Sequence, residues 1–152
     1  MRIISGGQTG ADQGGLEAGR DLGLETGGWA PKGWLTETGP QHKLLEGFGL
    51  SMCKVPGYPA RTLQNVLEAD LTVIFGRGGG GSSLTMRYCM LYGKPYLVNP
   101  SAEELCALIG LHDAKILNVA GNRESRNPGI QRHVREFLKE ALSRYNKITD
   151  CD

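Results

Sequence analysis

The chain offers no basis for a disulfide framework or a zinc site. Its four cysteines, Cys53, Cys89, Cys106 and Cys151, are widely separated, form no C-x-x-C pair and keep no ligand spacing with His42, His112 or His133. Reduced, mostly buried thiols are expected. No apolar stretch approaches the roughly 18 residues that a membrane span needs, and Met1 leads into a strand-like run without a charged-then-apolar leader. A cytoplasmic protein without a membrane partner is therefore expected. An excess of one charge is also missing, because seventeen Lys and Arg face sixteen Asp and Glu for a net charge of +1. That excludes a surface built to wrap nucleic acid and makes any basic site local. A nucleophile–base pair is absent too, since the histidines lie far from the glycine loops in sequence and none has an orienting acid. The groups in view are binding groups, and no catalytic residue is assigned.

Glycine is abundant. There are 23 in 152 residues, well above the usual share of roughly 7%, and they gather where strands give way to helices. Strands are expected near 1–5, 26–30, 71–76, 95–99 and 115–120, and helices near 11–22, 60–69, 83–93, 101–110 and 127–145. The strand runs are continuously apolar, as burial on both faces of a parallel sheet requires. Val134, Phe137, Leu138, Ala141, Leu142 and Tyr145 recur at the spacing of one buried helical stripe. Ser101 followed by Glu104 reads as a capping box. Together these give an α/β, Rossmann-like single domain over 1–152, a mostly parallel sheet with helices on both faces.

Two glycine-rich segments sit at strand-to-helix turns: Ser5-Gly6-Gly7-Gln8-Thr9-Gly10-Ala11-Asp12 after Arg2-Ile3-Ile4, and Gly76 to Ser83 after Leu71-Thr72-Val73-Ile74-Phe75. In a parallel sheet both turns emerge at one edge and present backbone N–H groups at the positive end of a helix, where anions bind. Gly6, Gly7 and Gly10 let backbone approach a ligand, and Gln8 and Thr9 add neutral hydrogen-bonding groups. Gly79, Gly80 and Gly81 with Ser82 and Ser83 read as a nest of N–H groups and hydroxyls flanked by Arg77. Two such loops on one crevice point to a small ligand with more than one anionic group. Asp12 reads either as a first-turn acid that favours the helix dipole or as a group that orients an arginine or accepts from a heterocycle's N–H.

Known fingerprints do not fit. The register Ser5, Gly7, Gly10 lacks the first glycine of G-x-G-x-x-G, and Gly28-Trp29-Ala30-Pro31 supplies no acid for a ribose. No G-x-x-x-x-G-K-[ST] occurs. A third edge, Ala120-Gly121-Asn122-Arg123-Glu124-Ser125-Arg126, brings Arg123 as a candidate phosphate fork, with Arg126 read as surface charge. Lys32 and Arg61 bracket a stretch from Pro31 to Tyr58 with little periodicity, read as a lid or as a plain excursion, and both are placed to close over the same crevice.

Ile4-Ser5-Gly6-Gly7-Gln8-Thr9-Gly10-Ala11-Asp12, Gly28-Trp29-Ala30-Pro31-Lys32-Gly33, Gly76-Arg77-Gly78 with the glycines after it, Gly93-Lys94-Pro95 and Leu117-Asn118-Val119-Ala120-Gly121-Asn122-Arg123-Glu124-Ser125 together resemble the molybdenum carrier family. That family looks like a branch of the Rossmann-type SLOG superfamily, whose relatives include nucleotide phosphoribohydrolases of the "lonely guy" type. The resemblance implies a homo-oligomer, dimer or tetramer, that binds and protects the molybdenum cofactor (molybdopterin) or molybdate and serves molybdenum enzymes. Carried over, Gly6, Gly7, Gln8, Thr9 and Gly10 hold one anionic end, Arg77 with Gly79 to Ser83 holds the other, and Lys32 and Arg123 support them. The second loop lacks the acid of the hydrolases' P-G-G-x-G-T-x-x-E pattern. The alternatives are a nucleotide-processing enzyme of the phosphoribohydrolase kind and a nucleotide or phosphosugar sensor.

Overall fold

Ile3 and Ile4 are fully buried in the strand β1 (Arg2–Ile4), as expected where parallel neighbours flank a strand and helices cover both sheet faces. The computed structural model describes residues 1–77 and 81–151. After β1 come α1 (Ala11–Asp21), β2 (Glu25–Ala30), a 3-10 turn (Lys32–Trp34), β3 (Leu35–Thr36), β4 (Gly39–Pro40), α2 (His42–Gly47), β5 (Leu50–Met52) and α3 (Tyr58–Glu68). The second half holds β6 (Leu71–Phe75), α4 (Gly81–Leu91), β7 (Tyr96–Val98), α5 (Ala102–Leu111), β8 (Ile116–Gly121) and α6 (Ile130–Thr149).

Six strands form one parallel sheet in the order β5-β2-β1-β8-β6-β7. The chain winds from β1 outward through β2 to β5, starts a second wing with β6 and β7, and inserts β8 last between β1 and β6. The exits of β1, β6 and β8 thus meet at the C-terminal edge where the winding reverses, the place where open α/β sheets take ligands.

One face carries the larger core. Ile3, Leu117, Val119, Leu71, Val73 and Phe75 pack with Leu105 and Ile109 of α5 and Val134, Leu138, Ala141 and Leu142 of α6. The helix α1 lies on the same side and comes very close. A Cβ on Gly15 would stand 2.6 Å from Val119 Cβ, so only a residue without a side chain permits this separation. Outside, Arg135 ties α6 to α1 through Glu17 at 2.9 Å and Asp21 at 2.6 Å. Ser101 caps α5 by accepting from Glu104 N–H at 3.1 Å, as the capping box predicts. The other face is covered by α3 and α4 and is more polar: Asn118 Nδ2 donates to Thr72 Oγ1 at 3.3 Å in a buried layer.

The five expected strands and five expected helices are present. The stretch from Pro31 to Tyr58 departs from the structureless reading, because it contains the 3-10 turn, an antiparallel β3–β4 ladder, α2 and the sixth sheet strand. It also has its own small core, in which Leu45, Phe48 and Leu50 bury against Leu16 of α1 and Ala30 of β2.

Candidate functional site

The first glycine loop spends its amides within the protein. Gly7 N–H donates to Ser5 Oγ at 3.3 Å, Gln8 N–H to Asp12 Oδ2 at 3.2 Å, Thr9 N–H to Gln8 Oε1 at 3.1 Å and Gly10 N–H to Gln131 Oε1 at 2.9 Å. Ala11 N–H, the first of α1, donates to the Asn122 carbonyl at 3.0 Å. A carboxylate of the same chain therefore takes part of the N–H nest, and the loop's contribution to a cavity is made by side chains. Gln8 Oε1 accepts a second time, from Glu37 N–H at 2.8 Å, which leaves its amide NH2 as the group without a partner among the described residues.

The cavity lies at the winding reversal, bounded by Gln8 and Asp12, by α3, by the first turns of α4 and by the segment after β8, and encloses about 240 Å³. From α3, Arg61 lies across Gly6, where a Cβ would overlap its guanidinium, so the missing side chain makes room for the arginine. Its carbon Cζ stands 5.4 Å from the Tyr58 ring centroid. Arg61 Nη1 is 3.5 Å from Asp12 Oδ2, and both side chains are largely withdrawn from solvent. Burial pushes the Asp12 carboxyl above the usual aspartate value, against the opposing pull of Arg61 and of the N–H groups of Gln8 and Gly6.

Two buried polar side-chain atoms have no hydrogen-bond partner among the described residues, Arg61 Nε and Ser82 Oγ. Both residues line this cavity. So do Arg123 and Arg126, neither of which makes an ion pair among the described residues. Arginines outnumber carboxylates on the wall by three to one, with Asp12 as the single acid. Such a wall attracts an anion with several acceptor atoms.

The other expected residues are distributed differently. Arg77 is exposed and borders a neighbouring hollow with Asn99, Asn127 and His133. Its backbone is tied to Asn122, which accepts from Arg77 N–H at 2.6 Å and donates through Nδ2 to the Arg77 carbonyl at 2.9 Å. Asn99 does the same for Gly76, with both bonds at 2.8 Å. Ser83 is exposed on the outer side of α4 near Met86 and Met90. Lys32 is exposed on the 3-10 turn and does not reach the cavity wall. Gly81 opens α4, while Gly79 and Gly80 lie outside the described residues.

A carboxylate that sequence reasoning did not single out completes the rim. Glu37, between β3 and β4, accepts from the hydroxyls of Thr9 and Ser125 and from Ser125 N–H at 3.1 Å. Partial desolvation works to raise its pKa, but the Ser125 and Thr9 hydrogen bonds outweigh it and hold the carboxyl below the ordinary glutamate value. Arg126, read from the sequence as surface charge, is a wall residue here, and Asp12 proves to be a partner of Arg61. Arg61, which the sequence places beside Lys32 at the ends of the long stretch, lines the cavity from the first turn of α3. No group of three or more His, Cys, Asp or Glu among the described residues is placed to hold a metal ion.

Comparison with known proteins adds three findings. The model of the circularly permutated YpsA SLOG family matches residues 3–142. The chain is similar to a solved structure named "putative molybdenum carrier protein", from Syntrophus aciditrophicus SB, with 36% identity, a TM-score of 0.82 and coverage of 93% of this chain and 94% of that one. No curated protein matches the chain.

Proposed function

We propose that this chain, which belongs to the circularly permutated YpsA SLOG family, is a binding and carrier protein for the molybdenum cofactor or a related molybdenum oxyanion such as molybdate. The observation that carries this reading is a pair of buried atoms without a hydrogen-bond partner among the described residues, Arg61 Nε and Ser82 Oγ, on one cavity wall. A buried donor left unsatisfied costs about 1–3 kcal/mol, and a phosphate monoester or an oxometalate supplies acceptors to both at once. Arg123 and Arg126, neither in an ion pair among the described residues, add positive charge on the same wall, and the Syntrophus protein's name supports molybdenum as the element carried.

In this reading Gln8, Ser82 and Arg123 touch the ligand with Arg61 and Arg126. Gly6 and Gly7 give Arg61 and the loop their space, and Thr9 and Gly10 hold the loop on the rim. Arg77, with Gly79, Gly80, Gly81 and Ser83, guides the ligand's other anionic end, and Lys32 contributes longer-range attraction. A cytoplasmic homo-oligomer that passes its cargo to molybdenum enzymes belongs to the same proposal.

Anaerobic reconstitution with molybdenum cofactor, and separately with molybdate, followed by metal analysis and mass spectrometry of the re-isolated protein tests it. Stoichiometric molybdenum, with pterin in the first case, is the expected result. Neither element nor pterin above the level of an Arg61→Met, Arg126→Ala control would defeat it. One observation favours a nucleotide-processing enzyme instead: Asp12 places a carboxyl on the cavity wall. Release of free base from nucleoside monophosphates, lost in Asp12→Asn, would decide for that activity.

A further inference from the structure

We infer that Asp12 is an internal counter-ion which an arriving oxyanion displaces from Arg61, and that the displaced carboxylate then takes a proton from solvent, so that ligand binding and protonation are coupled. This rests on the anion-binding reading of the same cavity and adds a condition on it. Asp12 is 3% exposed and lies on the cavity wall. Its contact with Arg61, at 3.5 Å, is a charge contact that leaves Nε unused. The guanidinium is therefore held by attraction and by the seat over Gly6, with hydrogen-bonding capacity left over for a ligand.

The groups facing Asp12 can be named from each element around it. From its own loop come the N–H groups of Gln8 and Gly6. From α3 come Arg61 and Tyr58, from α4 Ser82, and from the segment after β8 Arg123 and Arg126. Glu37, the other carboxylate of this rim, is directed to Thr9 and Ser125. A dianion entering this space adds like charge beside Asp12 and takes a share of the Arg61 attraction. Both changes favour the neutral acid, in the direction that burial already pushes. The proton moves from bulk water to an Asp12 carboxyl oxygen, the ligand keeps its charge, and affinity rises as pH falls.

The test is calorimetric titration of the intact protein with sulfate and with molybdate, dianions that carry no proton near neutrality. Measuring in buffers of different ionisation enthalpy gives the number of protons bound. We expect uptake approaching one proton per anion, with affinity gaining about tenfold per pH unit between the free and liganded Asp12 pKa values. Asp12→Asn is expected to bind at least as tightly with no proton uptake and a flat pH profile. The 13C shift of the Asp12 carboxyl in wild type, followed on adding sulfate, gives the same answer without a variant. Binding with no proton uptake, or weakened binding by Asp12→Asn that keeps its proton uptake, overturns the coupling alone. Absence of binding by both probes overturns the cavity reading and the coupling with it.

Discussion

Asn122 pairs with both backbone groups of Arg77, accepting from its N–H and donating to its carbonyl, so one side chain does for the β6 exit what a neighbouring strand would do. Asn99 holds Gly76 from the other side in the same way. The exit of β6 at Gly76 and Arg77 is thus set by amide side chains contributed from the ends of β8 and β7.

Replacing Asn122 by Ala removes two hydrogen bonds to Arg77 and a long one from Asn127 Nδ2 at 3.4 Å, at a residue that is 4% exposed. The expected loss is about 2 kcal/mol of stability, since Arg77 lies where water can recover part of the loss. Urea unfolding of wild type and Asn122→Ala measures it. Anion affinity should fall beyond the stability effect because Asn122 itself lines the cavity; an unchanged affinity would detach Asn122 from the site.

Two glycines of one motif separate function from scaffold. Gly6→Ala should keep the fold, because the added methyl meets the end of a long side chain, yet it drives Arg61 off its seat. The expected outcome is a near-wild-type melting temperature with sulfate affinity reduced at least tenfold. In Gly10, φ is 83° and the space beside it is filled by the backbone of Asn122 to Glu124. Gly10→Ala should therefore lose about 3 kcal/mol or more. Thermal melts and calorimetric titration of the pair distinguish the two roles.

Arg126→Ala is expected to weaken oxyanion binding more than Arg77→Ala, because Arg126 faces the cavity and Arg77 borders the next hollow. The Arg77 effect should fade between low and physiological salt, as expected for an exposed charge. Binding isotherms at two ionic strengths check both statements, and equal losses would merge the two hollows into one site.

The Glu37 clasp sets a pH dependence. Its carboxyl pKa is lower folded than unfolded, so its contribution is complete above the ordinary glutamate value of 4.5 and is lost as pH falls through the folded-state pKa. Glu37→Gln should remove that acid-side loss. It should also cost about 1–2 kcal/mol at pH 7, the difference between charged and neutral acceptors for two hydroxyls. Stability curves from pH 3 to 7 for both proteins test the sign as well as the size.

The strands, the main helices and the sheet edge that carries the cavity were legible because their signals are local. Leu71 to Phe75 is a run of five buried residues, four of them apolar around Thr72, and α6 repeats one stripe along its first four turns. The strand β5 was not legible. It is three residues with one buried, Leu50, and its pairing partner β2 is twenty residues away in sequence. The helix α2 has six residues and no side-chain cap, so no boundary announced it. The site was half legible for a related reason. Glycines mark places where backbone needs room, but what fills the room beside Gly6 is an arginine from another helix, and only the folded chain brings Arg61 there. Likewise the loop amides that looked available are taken by Asp12, Ser5, Gln8 and Gln131, partners that a linear reading does not rank.

The small core formed by Leu45, Phe48 and Leu50 against α1 and β2, together with the Glu37 clasp, anchors both ends of the excursion to the body. A segment fastened at two points does not swing aside to admit cargo. Cargo is therefore expected to reach the cavity without displacing this segment, so cross-linking it to the body should leave loading and unloading alike unchanged.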